Sequence, residues 1–91
     1  MEIFPSKYAD RWCLGIDLDE ATALEVQLYL KVNCGLGNSQ YQVLANNETK
    51  KYEKNFNLII NSYEKSELEK MRPGLEKLLE KLLEKNDKDI N

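Results

Sequence analysis

Between residues 68 and 83 the chain places seven large apolar side chains at helical spacing: Leu68, Met71, Leu75, Leu78, Leu79, Leu82 and Leu83. At roughly 100° per residue they share a stripe roughly 140° wide. Burying such a stripe is worth roughly 10–20 kcal/mol gross, against about 1–2 kcal/mol of backbone entropy for each ordered residue. A lone helix does not survive on those terms, so the stripe requires a second layer.

The preceding residues supply one. Trp12, Leu14, Ile16 and Leu18 alternate with Cys13, Gly15 and Asp17, a period of two that reads as a half-buried strand. Leu24, Val26, Leu28, Leu30 and Val32 alternate with Glu25, Gln27, Tyr29 and Lys31, the strongest strand pattern in the chain. Residues 19–23 then join the two as a hairpin, although Glu-Ala-Thr-Ala is weak turn chemistry and also reads as a helical turn. Tyr41 and Val43 mark a third, shorter strand. Asn46 and Asn47 tolerate positive φ and fit a tight reversal. Tyr52, Phe56, Leu58 and Ile60 share the parity of a fourth strand, interrupted by Lys54.

After Asn61 the period changes. Ser66 and Glu69 have the spacing of a capping box at a helix start. Pro73 leaves two readings: one bent helix over 66–86, or a short turn followed by a helix with Pro73 at its first position. The cost of an interior proline, about 3 kcal/mol, favours the second. The expected fold is α+β: an antiparallel meander of three to four strands with a C-terminal amphipathic helix on one face. The 91 residues read as a single domain, with an N-terminal arm at 1–10, the sheet at 11–61, a helical region at 62–86 and a frayed tail at 87–91.

Composition narrows the chemistry. Histidine is absent, which removes the commonest general base and transition-metal ligand. Cys13 and Cys34 form no Cys-x-x-Cys pair, and the hairpin register offsets them beyond the reach of a disulfide. They read as reduced thiols, and residues 1–10 lack the apolar core of a signal peptide, so a cytoplasmic location is expected. No apolar run is long enough to span a membrane. Net charge is −3, which disfavours a phosphate-binding footprint. Eleven lysines to two arginines, with nine asparagines, fit an AT-rich source such as a low-GC bacterium or its phage. A chain this small gains stability from disulfides, metals or oligomerisation, and oligomerisation is the one left open.

Each cluster with chemical potential has a plain structural reading. Asp17, Asp19 and Glu20 gather hard oxygens near a turn, but the calcium-loop pattern is missing, so they read as an acidic turn. Gly35 and Gly37, with Asn38 and Ser39, read as a connecting loop rather than a phosphate cradle, because a strand and not a helix follows. Lys50, Lys51 and Lys54 lie beside Tyr52 with Glu48 and Glu53 interleaved, a solvated hairpin edge. No cofactor, metal set or catalytic constellation is expected.

The polar sheet face remains. Glu25, Gln27, Tyr29 and Lys31 alternate outward, with Gln40 and Gln42 beside them. Such a surface, centred on a tyrosine, suits protein recognition. Leu79 and Leu83, at the edge of the leucine stripe, are the candidate contacts of a homo-oligomer. The expected function is a small non-enzymatic protein-binding module, an inhibitor, adaptor or immunity-type factor (a phage anti-defence protein is one form) acting by steric occlusion. The alternative is a nucleic-acid- or nucleotide-binding accessory protein using the loop at 35–39 and the lysines at 50–54.

Overall fold

The computed structural model describes residues 1–7, 10–33, 41–52 and 55–90, including their side chains except those of residues 33 and 85–90. In chain order the elements are β1 (Glu2–Pro5), β2 (Trp12–Ile16), α1 (Glu20–Asn33), β3 (Tyr41–Ala45), a 3-10 turn (Asn46–Lys51), β4 (Leu58–Ser62) and α2 (Lys65–Ile90). The α+β class and the C-terminal helix agree with the sequence pattern. The connectivity is different.

The sheet runs β1-β2-β4-β3, with every neighbouring pair antiparallel. β2 and β3 therefore point the same way with β4 inserted between them, and α1 makes the crossover. This is a split β-α-β unit and not a meander. The correction has one origin: residues 24–32, expected as the best strand, lie in α1. Asp19 starts that helix by accepting the backbone N–H of Thr22 on Oδ1 at 2.7 Å, while its carbonyl accepts the N–H of Ala23 at 2.9 Å. The body of the segment is rich in Ala, Leu, Glu and Gln, all good helix formers. A cap and propensity together outweigh an apolar alternation that fits both periods.

The expected N-terminal arm is likewise a strand in part. β1 pairs Ile3 with Leu14 and Pro5 with Trp12 at one edge of the sheet, a position that tolerates a residue without an N–H. Asn46 takes a positive φ of 56°, as its residue type allows, but the reversal is not tight: a 3-10 turn runs from Asn46 to Lys51 and Ala45 pairs with Leu58, so Tyr52 and Phe56 precede the fourth strand instead of belonging to it.

The register aligns Leu14 with Ile60 and Val43, and Ile16 with Leu58 and Ala45. These residues form one buried cluster with Ala23, Val26 and Leu30 of α1 and Leu68 and Leu75 of α2. Both helices thus cover the same face. The other face carries Cys13, Gly15, Leu44, Ile59 and Asn61, all buried. Phe56 lies directly over Gly15, where any Cβ would meet its ring carbons at 2.6 Å, and stacks on Phe4 with centroids 5.6 Å apart. Among the described residues, the face opposite the helices is thus largely buried, and not the bare polar surface that the sequence suggested.

α2 begins before Ser66, so Ser66 is not its cap; Ser62 Oγ instead accepts the N–H of Glu64 at 3.2 Å. The helix passes unbroken through Pro73 and continues to Ile90, through most of the segment expected to fray. Leu68 and Leu75, seven residues apart, are both buried, so both sides of the proline are anchored on one sheet. Pro73 and Gly74 are exposed. Together they cost the helix about 3 and about 1 kcal/mol relative to alanine. Pro73→Ala is therefore expected to raise stability by about 1–3 kcal/mol, seen as a higher urea midpoint. An unchanged midpoint would mean that the helix is broken there in solution.

Twenty-six residues make α2 roughly 39 Å long at 1.5 Å per residue, within a longest molecular extent of 46 Å. Its C-terminal half outruns the sheet. Along it the leucine stripe passes from buried at Leu75 to 64% exposed at Leu83.

Candidate protein-binding surface

Helix α1 buries Ala23, Val26, Gln27 and Leu30, the i, i+3, i+4, i+7 pattern of one helical face. Leu24, Leu28 and Val32 repeat every four residues on roughly the opposite side. They are 47%, 55% and 80% exposed. α1 is thus apolar on two sides, and the sheet covers only one. Glu25 and Lys31, both exposed, lie on the two flanks of the uncovered stripe.

The six residues expected to form one polar face are dispersed by this change of element. Glu25 and Lys31 stay at the surface. Gln27 is buried, and its Nε2 donates to the carbonyl of Val43 at 3.1 Å and to Glu48 Oε1 at 3.3 Å. It supplies a partner to one carbonyl of the edge strand β3. Tyr29, 44% exposed, turns toward α2 and lines a groove with Tyr41, Met71 and Leu78. Gln42 lies on the other sheet face, where its Oε1 accepts from Asn61 Nδ2 at 3.2 Å. Gln40 lies outside the described residues.

Asn61 also accepts from Arg11 Nη1 at 3.0 Å, and Arg11 Nη2 donates to Tyr63 Oη at 2.8 Å with its guanidinium 4.6 Å from the Tyr63 ring centroid. This network closes over part of the second face and satisfies the buried Asn61.

Leu79 is half-buried and Leu83 exposed, and the two line a shallow concavity with Leu18, Thr22 and Leu82. Asp17 and Asp19 stand at the same concavity. Glu20 lies in the first turn of α1. Among the described residues, no three ligating side chains converge on a point that would hold a metal ion. Asp19 is occupied as a cap: chiefly the backbone N–H of Thr22, and then its hydroxyl, hold the carboxyl below the usual aspartate range. The linkage has a definite sign. The folded pKa lies below the unfolded one, so the cap stabilises fully above the unfolded value and is lost as pH falls through the folded value. Asp19→Asn keeps an acceptor and removes the titration. Its urea midpoint is expected to fall less than wild type's between about pH 5 and pH 2. Superimposable acid profiles would show that the cap does not operate.

Cys13 is a buried free thiol, and burial pushes its pKa up against the opposing pull of a Ser6 hydrogen bond and of Arg11. That is the environment of an inert cysteine. Cys34, the loop at 35–39 and Lys54 lie outside the described residues. Lys50 and Lys51 close the 3-10 turn. No helix among the described residues is long and apolar enough to cross a membrane.

The residues that sequence reasoning misplaced are Leu24, Leu28 and Val32. Assigned to a strand, they shared the core face with Val26 and Leu30. The signal that would have separated them is Asp19 three residues before Thr22, an N-cap ahead of a helix-forming run.

No protein-family model, no curated protein and no solved structure matches this chain.

Proposed function

We propose that this chain is a small, non-enzymatic protein-binding module that docks through the outer face of α1 and acts by occluding its partner's surface. The observation that carries this reading is the exposed stripe of Leu24, Leu28 and Val32. A second apolar stripe on a helix calls for a second covering layer, and contiguous apolar surface on a small protein marks an interaction site. An apolar centre with Glu25 and Lys31 at its margins also has the layout of a protein interface, a dry core with a charged rim. An inhibitor, an adaptor and an immunity-type factor all work by such occlusion.

The test begins with a partner captured from lysate, identified and purified, and proceeds to its affinity for wild type and for Val32→Lys. Lysine keeps the helix propensity and removes the most exposed apolar group of the stripe. The reading expects affinity to fall at least tenfold with the urea midpoint unchanged. Equal affinities would overturn it. Self-association is read separately by sedimentation: a dimer that Leu83→Lys converts to monomer would move the interface from α1 to the tip of α2.

A further inference from the structure

We propose that, before its partner arrives, the outer face of α1 is covered by a second copy of this chain, in a two-fold symmetric pair with Leu28 on the axis. This rests on the docking surface assigned above and adds what occupies it at rest: the partner must displace a copy of the chain itself.

The charges on α1 carry the inference. At 3.6 residues per turn, Glu25 lies roughly 60° to one side of Leu28 and Lys31 roughly 60° to the other, each about 4.5 Å from it along the helix axis. They therefore stand diagonally across the apolar stripe. Six residues apart, they cannot meet on their own helix, where opposite charges pair at a spacing of three or four. Both are exposed, and among the described residues neither takes part in an ion pair.

A diagonal arrangement is complementary to itself under one common helix crossing. When two copies pack along their ridges of every fourth residue, at about −50°, a two-fold axis through Leu28 brings Glu25 of each copy beside Lys31 of the other. The crossing of about +20° found in coiled coils leaves these charges roughly 10 Å apart. An antiparallel pairing sets Glu25 on the same side as its own copy. Leu24, Leu28 and Val32 are themselves such a ridge, 47%, 55% and 80% exposed. The axis passes more than a turn before the end of α1 at Asn33.

Area sets the strength of the pair. α1 is roughly 21 Å long, so one crossing covers on the order of 300 Å² on each copy, well short of the roughly 800 Å² per partner of a standard stable interface. The pair is therefore weak, and a partner with a larger footprint displaces it.

Sedimentation equilibrium of the full chain, between about 10 µM and about 1 mM at low salt, is the test. The expected result is a monomer–dimer equilibrium. Glu25→Lys and Lys31→Glu should each weaken the dimer about tenfold, because each reversal sets like charges together at two symmetric places. The chain carrying both reversals should return to within about threefold of wild type, the signature of a direct pair. Leu28→Lys should leave monomer alone, and Leu83→Lys should change nothing. Adding the purified partner should convert the dimer to a one-to-one complex. The proposal is overturned by monomer at every concentration, by a dimer that survives Leu28→Lys, by a double reversal that fails to restore pairing, or by a partner that binds the intact dimer. The docking reading fails by a different result, a partner whose affinity ignores Val32→Lys, and the charge reversals decide the pair independently of it.

Discussion

Leu28→Lys should weaken partner binding by at least about 2 kcal/mol, roughly thirtyfold, while the protein keeps its fold. Leu28 sits at the middle of the uncovered stripe, one turn from Leu24 and one from Val32, with 55% of its surface open. Covering the exposed part of a leucine is worth on the order of 1–2 kcal/mol. An ammonium in its place must also be desolvated against an apolar partner, which adds to the loss. On the free chain the same change costs little. Lysine is as good a helix former as leucine, and Glu25 three residues earlier gives it an opposite charge to meet. Affinity should therefore fall steeply while the urea midpoint stays within about 0.5 kcal/mol of wild type. A parallel loss of both would place Leu28 in the core and remove the surface on which the functional proposal stands.

Leu68→Ala should have the largest effect on stability, about 2–5 kcal/mol. Leu68 is fully buried, in the first turns of α2, and belongs to the cluster formed with Leu14, Leu58 and Ile60. A chain of this length has roughly 5–14 kcal/mol of total stability, so the variant stands near the edge of folding. Leu83→Ala is the control on the same stripe. Leu83 is 64% exposed where α2 outruns the sheet, and its truncation should cost less than about 0.5 kcal/mol. Urea midpoints at a constant slope measure both. Similar costs at the two positions would contradict the docking of α2 through its N-terminal half.

The parts of this fold that were legible in the sequence are those where only one period fits. The leucines of α2 recur at 3.6 and at nothing else. Trp12 to Ile16 alternates between two buried layers, and Asn46 takes the positive φ that its residue type accepts, although it opens a 3-10 turn and not the tight reversal expected. Pro73 misled because its cost is real. The cost is met by burial on both sides of it, at Leu68 and Leu75, which no local rule registers. β1 was hidden because four residues ending in proline carry almost no pattern.

The error at 24–32 is of another kind. A strand needs apolar residues at every second position, and α1 meets that pattern because it is apolar on two sides. Val26 and Leu30 face the core, while Leu24, Leu28 and Val32 face away. Had the outer three been polar, the helical period would have been plain. The candidate site and the misreading thus share one cause, an apolar stripe that this chain's own sheet does not cover. Of the polar residues expected at the interface, Glu25 and Lys31 remain beside the stripe. Gln27 is packed at a strand edge, Tyr29 belongs to the groove, and Gln42 sits on the far side of the sheet.

The central claim is that the outer face of α1 is covered by another protein when the chain works. Photo-crosslinking from position 28 measures this most directly, with a photoreactive phenylalanine analogue there and a second at exposed position 81 on α2. The account predicts one dominant adduct of defined mass from position 28 in the cells that express the chain, and none of that mass from position 81. Excess wild-type protein should compete it away and excess Leu28→Lys should not. No adduct from position 28, or equal competition by both proteins, would contradict the account.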